Sequence, residues 1–455
     1  MASVNTVDVF SKDLYQKLFP PERQPLPNLD DVYELELAFY ENQILSDEEL
    51  IKNAAYFARI ANTYTRHFLM CTGKSLKLPE HSSSRLKSFF EKNLFRTGYA
   101  THGLFPYRGK FHPQMIKGLI NVMGLKPGDI VLDPMMGSGT VLVESCLMGI
   151  SSIGVDASPF CRFMAQTKID ALSMSLARAH KALTNYKEVY AYFQKKVGQP
   201  SPGTKTYRKT TSKGFMSVME PAAQYVTKKG RRRLKGKERE TSDTYNFLLL
   251  AYLDSAGYSE RSGRKAPLDQ FKAILERYLF VVEKIQNVLK GVESNLAEAV
   301  VLEGDARALL LEDSSVDGII FSPPYSFAID YLKNDSFHLN FMGVDTDKLR
   351  DKMIGLRGRK LSEKFEIYQE DMEKVLSECA RVLRPGRLCT IIVGTNNNQL
   401  SKALGVSPDE VLGLHEILAD LGSKHGLQLV KMISRPITGI SNTMRREYIV
   451  MLRRL

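Results

Sequence analysis

From residue 111 onward the chain alternates short apolar runs with stretches of helical period, and this alternation constrains its fold more than any other feature. Residues 112–123 read as a helix stopped near Gly124, 129–133 as a strand, 139–148 as the start of the next helix, and 153–156 as a second strand. Parallel strands need a connection long enough to hold a helix, so the pattern predicts a parallel sheet with crossover helices. It breaks off at residue 176 and resumes with a long amphipathic helix over 268–292. Strands at 299–303 and 318–321, a helix at 368–383 and a strand at 387–393 follow, with Gly386 after Arg384-Pro385 read as the helix stop. A helix near 408–424 and two strands, 427–433 and 447–452, close the chain as a hairpin. Seven strands of this kind predict an α/β, Rossmann-like sheet.

The flanking and interrupting regions differ. Residues 1–104 are expected to form a helical N-terminal extension: 47–60 carry helix-like spacing, with Ser46 as N-cap and Glu49 completing a capping box. Residues 176–267 are polar and basic, and a structureless loop of that length inside a compact domain is improbable, so an inserted subdomain is expected. The principal α/β domain is then 105–175 together with 268–455. Charge is concentrated in the insertion. Of the formal net +12, residues 195–240 hold fourteen Lys/Arg against three Glu, a net of +11. The densest part contains Lys228, Lys229, Arg231, Arg232, Arg233 and Lys235. Such a block attracts a polyanion by counterion release, or else forms a solvated loop.

No stretch approaches eighteen apolar residues, so no membrane span is expected, and the N-terminus has neither the basic start nor the apolar core of a signal peptide. The five cysteines are scattered and form no Cys-x-x-Cys. Neither a zinc site nor a disulfide framework is indicated, no metal is expected, and a reducing cytoplasm fits.

Two motifs carry the chemistry. Asp133-Pro134-Met135-Met136-Gly137-Ser138-Gly139-Thr140 lies at a strand–loop–helix junction, where two glycines permit φ > 0 and close approach to a ligand. It lacks a third glycine at the dinucleotide offset and a following Gly-Lys-Ser/Thr, which weakens a phosphate-cradle reading. Asp156 and Asp305 end the next two strands, so three acids are expected to face one crevice. The second motif, Ser322-Pro323-Pro324-Tyr325, follows the strand ending at Phe321. Two prolines make a stiff corner. A serine hydroxyl and a proline carbonyl can accept hydrogens from an amino group, and a tyrosine face, or that of Phe327, can stack on a base. Methylation at carbon five of cytosine wants a thiolate, usually in a Pro-Cys pair, and the chain has none.

Together these strings resemble the class I S-adenosylmethionine-dependent amino-methyltransferases of DNA. The resemblance covers roughly 105–175 and 268–455. It implies a seven-stranded methyltransferase sheet with S-adenosyl-L-methionine as cofactor. Asp133, Gly137 and Gly139 would lie around its methionine part, with Pro134, Ser138 and Thr140 of the same loop also binding the cofactor; Asp156 would hold the ribose, and Asp305 would face the adenine amine. Phe111-His112-Pro113 resembles the family's motif just upstream, which places Phe111 and Pro113 at the same pocket. Ser322, Pro323, Pro324 and Tyr325 would be catalytic. Ser-Pro-Pro-Tyr is typical of cytosine-N4 methylation, so the resemblance implies a site-specific enzyme acting on duplex DNA with base flipping, plausibly with a cognate restriction endonuclease. Adenine-N6 methylation and an RNA amino-methyltransferase stay open. The basic insertion is the candidate target-recognition region. The loop 333–360, with Arg350, Lys352, Arg357, Arg359 and Lys360, is expected either to close over the DNA backbone or to form an exposed, helix-rich segment.

Overall fold

The computed structural model describes residues 17–27, 29, 31–72, 97–107, 109–196, 215–218, 236–262, 266–291, 296–324, 330–408, 410–437 and 446–455. The basic block 228–235, Tyr325 and Phe327 lie outside them.

The N-terminal region is mixed rather than helical. Strands β1 (Arg23–Pro25), β2 (Phe57–Ile60) and β3 (Thr63–Tyr64) pair antiparallel beside helices α1 (Val32–Ile44), α2 (Asp47–Asn53) and α3 (Arg66–Cys71). The capping box of Ser46 and Glu49 starts α2, but that helix ends at Asn53 instead of running on to Ile60. The buried Glu41 carboxylate accepts the N–H groups of Ala55 (3.0 Å) and Tyr56 (3.2 Å), which draws the backbone out of the helix and into β2.

The main sheet has seven strands: β4 (Ile130–Asp133), β5 (Ser151–Asp156), β6 (Ala299–Glu303), β7 (Val316–Phe321), β8 (Leu383–Gly394), β9 (Leu427–Pro436) and β10 (Arg446–Arg454). Their order is β6-β5-β4-β7-β8-β10-β9, parallel except for β10, which runs antiparallel to both neighbours. The fold is therefore the Rossmann-like α/β sheet with a closing hairpin. All six residues of β7 are buried, as a central parallel strand covered on both faces requires. The chain runs outward through β4, β5 and β6, then returns to place β7 on the other side of β4. A crevice opens at that switch point, outside the strands' carboxyl ends.

Helices α4 (Pro113–Val122), α5 (Thr140–Met148) and α6 (Pro159–Ala171) flank the first half of the sheet. Then come α7 (Ala177–Thr184), α8 (Tyr186–Gln194) and the long pair α9 (Gly236–Ser262) and α10 (Pro267–Gly291). After β7 the chain forms α11 (Tyr331–Asn334), α12 (Ser336–Phe341), α13 (Thr346–Arg350), α14 (Leu361–Val382), α15 (Asn397–Leu404) and α16 (Leu414–Ser423). Helix α14 stops at Val382, ahead of the expected glycine stop. Pro385 pushes Arg384 out of helical φ/ψ, so β8 begins at Leu383 and Gly386 (φ +79°) sits within that strand.

The insertion shares a core with the α/β domain. Ala179, Val189, Phe193 and Phe247 pack in one buried cluster with Phe160, Phe163 and Met164 of α6 and with Leu332, Leu339 and Met342 of the segment after β7. Arg277 and Tyr278 on α10 both bond the Asp254 carboxylate of α9, at 2.8 and 3.1 Å, which fixes the pair.

Candidate active site

The loop after β4 is held open by its own backbone. Gly137 (φ +48°) and Gly139 (φ +76°) both take the left-handed conformation. A Cβ at Gly139 would lie 2.8 Å from that of Ala165, so the loop closes on α6 only with glycine there. The Gly137 N–H donates to Asp156 Oδ2 (2.9 Å) and the Ser158 N–H to Oδ1 (2.8 Å), which ties the ends of β4 and β5 together. Helix α5 begins at Thr140 and is anchored from beneath by the fully buried Glu144. That carboxylate accepts from Tyr99 Oη (2.6 Å) and His102 Nε2 (2.7 Å) and lies 3.2 Å from Lys117 Nζ. Burial pushes it up, yet Lys117 and the two hydrogen bonds bring it down to about 2. Burial likewise pushes His102 down to about 4, and Lys117 Nζ faces the other Glu144 oxygen.

The crevice at the switch point encloses about 690 Å³, open solvent at its mouth included. Of the residues singled out in the sequence, Pro134, Gly137, Asp156, Asp305, Ser322 and Pro324 line it. Ser138, Thr140 and Pro323 are buried beside it. Asp133 does not face it with the other two acids. Its side chain is completely buried, Oδ1 accepting from the Met135 N–H (3.1 Å), and burial pushes the carboxyl well above its ordinary value. Pro113 is buried at the first turn of α4, and Phe111 packs into the core shared with the N-terminal region; neither reaches the wall.

Asp156 is pushed up to about 6 by burial, against the pull of its two backbone donors. Beside it, Cys161 Sγ donates to Tyr107 Oη (3.4 Å), and Tyr331 closes the same side. Asp305 is engaged differently. Arg307 grips both its oxygens, Nε to Oδ1 at 2.9 Å and Nη2 to Oδ2 at 2.8 Å. Burial raises that carboxyl, but the Arg307 bonds outweigh burial and hold it below its ordinary value. The same guanidinium reaches Asp371 of α14 (2.9 Å) and the Lys352 carbonyl (3.3 Å). It thereby draws Lys352, Met353 and Ile354 over the crevice as a roof.

Residues 352–354 of the segment 333–360 therefore cover the crevice, and the segment's cations divide. Arg350 pairs with Asp330 and Arg357 with Asp371, Lys352 lines the crevice from an exposed position, and Arg359 and Lys360 are exposed. Tyr107, Cys161, Tyr331, Arg307 and the roof residues carry no motif. Only the position of Tyr107, four residues before Phe111, and of Tyr331, six residues after Tyr325, was available as a signal. The site fits a nucleoside-like group. Asp156 and Tyr107 offer polar partners for hydroxyls, and Ala157, Ala306, Met353 and Ile354 give an apolar slot.

Residues 104–193 match the model of a family described as an RMKL-like methyltransferase domain. The chain is 24% identical over 284 residues to the Type II methyltransferase M.BsoBI of Geobacillus stearothermophilus, covering 55% of this chain and 54% of that protein. It thus spans about half the length of that relative. It is 29% identical over 453 residues to the Type II methyltransferase M.MjaII of Methanocaldococcus jannaschii, covering 76% of this chain and 78% of the other. A solved SAM-dependent methyltransferase of Methanosarcina mazei aligns over 73% of this chain and 94% of its own, at 12% identity and a TM-score of 0.30.

Proposed function

We propose that this protein is a site-specific DNA methyltransferase that methylates the exocyclic N4 amine of cytosine with S-adenosyl-L-methionine as donor. The observation that carries the reading is that Ser322 and Pro324 share one crevice with Gly137, Asp156 and Asp305. A cofactor loop and an amine-gripping corner thus open on the same space. The similarity to Type II methyltransferases supports DNA as the substrate; a cognate endonuclease as partner belongs to the same proposal.

When bound, the cofactor supplies a methyl group activated by a positive sulfonium. Asp156 accepts its ribose hydroxyls, and the apolar slot takes the adenine. The target amine is a poor nucleophile because its lone pair is delocalised into the ring. The Ser322 hydroxyl donates to the Pro323 carbonyl oxygen at 3.5 Å; once that hydroxyl turns away, the serine oxygen and the carbonyl oxygen would each accept one amine hydrogen and turn the lone pair out of the ring plane. The prolines hold these acceptors in place before the base arrives, and the base is flipped out of the duplex to reach them. With the cofactor bound, the amine would form its new N–C bond as the sulfonium S–C bond breaks, and the proton it then gives up would leave to solvent through the mouth of the crevice.

Ser322→Ala and Tyr325→Ala each remove a contact to the base and none to the cofactor. Both are expected to lower methyl transfer to DNA by about 100-fold or more, while cofactor affinity measured by calorimetry stays near wild type. Full activity in both would refute the assignment of the corner.

A further inference from the structure

We propose that His338 is a positioning residue for methyl transfer, fixing the segment after the Ser-Pro-Pro corner against helix α9 of the insertion; this rests on the function proposed above. Three elements meet at its ring. On one side it stacks on Phe160 at 4.5 Å and 7°, with Phe105 edge-on at 5.1 Å. Phe160 follows the cofactor acid Asp156 by four positions. On the other side Nε2 lies 3.2 Å from the Leu253 carbonyl oxygen of α9. A carbonyl only accepts, so Nε2 carries the proton. A methyl group at Gly257, one turn further along α9, would stand 2.7 Å from the same nitrogen.

His338 is 1% exposed. Burying an imidazole costs desolvation that phenylalanine would avoid, so stacking alone does not call for histidine. What histidine adds is a directional bond to the insertion. From the ring, a short rigid path leads to the site. The Leu339 N–H bonds the Asp335 carbonyl and the Asp335 N–H bonds the Tyr331 carbonyl, both at 2.9 Å. Tyr331 lines the crevice with Ser322 and Pro324. Within the core that the insertion shares with both, the His338 ring thus joins the insertion by a directional bond to the cofactor wall and to the segment after the corner.

The test compares His338→Phe, which keeps the ring and loses the bond, with His338→Gln, whose amide nitrogen can reach the same carbonyl. His338→Phe is expected to lower kcat about 10- to 100-fold, with affinities for cofactor and DNA within about twofold of wild type. Amide exchange across 330–341 should rise, and His338→Gln should recover most of the rate. Gly257→Ala, which pushes on the ring from α9, should give the same split if His338→Phe fails to fold. Unchanged kcat and exchange, or equal losses in kcat and both affinities, would overturn the assignment. If the wild-type chain methylates no DNA, the functional reading fails, while exchange across 330–341 in the variants still decides the contact by itself.

Discussion

At the scale of single residues, Asp156 concentrates the physics of the site. Burial lifts its folded-state pKa to about 6, above the ordinary 3.8. The empty protein therefore holds its proton more tightly than the unfolded chain. The resulting stabilisation is complete below about pH 4 and is lost as the pH rises through 6. A ribose that donates to the carboxylate favours the ionised form, so cofactor affinity should rise across that same window. Asp156→Asn should bind the cofactor about tenfold or more weakly, with an affinity that no longer changes between pH 5 and 7. Calorimetric titration at several pH values reads both effects; an unchanged, equally pH-dependent affinity in the variant would remove Asp156 from the cofactor's contacts. The acids also show what a sequence conceals. Asp133, Asp156 and Asp305 occupy equivalent strand ends, yet one is buried beneath the loop, one faces the crevice, and one is gripped by Arg307. Position along a strand was legible, but which partner each carboxylate finds depends on side chains brought in from elsewhere.

At the scale of elements, the glycine loop and the helix after it behave as one unit. Helix α5 is fixed by Glu144, which is pinned by Lys117, His102 and Tyr99 from neighbouring segments. Glu144→Gln leaves the Lys117 ammonium buried without its counter-charge and should cost about 3–5 kcal/mol. The double variant Lys117→Met/Glu144→Gln should recover most of that loss. Denaturant unfolding of the three proteins decides it; a double variant no more stable than Glu144→Gln would show that the buried charge is not the cause. Strand ends and helix starts in this half were readable because periodicity and glycine chemistry are local. The N-terminal sheet was not, because three strands of two to four residues carry too little pattern and take their identity from pairing. The roof at 352–354 was not either. It is set by Arg307 reaching Asp371, a contact across 64 residues.

At the scale of the whole molecule, charge and core are divided within one insertion. Its apolar faces complete the cluster around Phe160 and His338, so excising it would strip the catalytic segment of its support. Neutralising its basic block is the cleaner experiment. Replacing Lys228, Lys229, Arg231, Arg232, Arg233 and Lys235 with glutamine should weaken duplex binding. If all six meet phosphates, the slope of log affinity against log salt should also flatten, by about 5. An unchanged slope would place the DNA elsewhere. Ser322 is the residue on which the proposed chemistry turns. Its hydroxyl and the adjoining proline carbonyl are expected to grip an exocyclic amine, and serine at that place favours cytosine. The most direct test is to incubate the protein with isotope-labelled cofactor and genomic duplex DNA, digest to nucleosides, and identify the labelled base by mass spectrometry. The account predicts label in N4-methylcytosine. Label in N6-methyladenine, label only when RNA replaces DNA, or no label at all would contradict it.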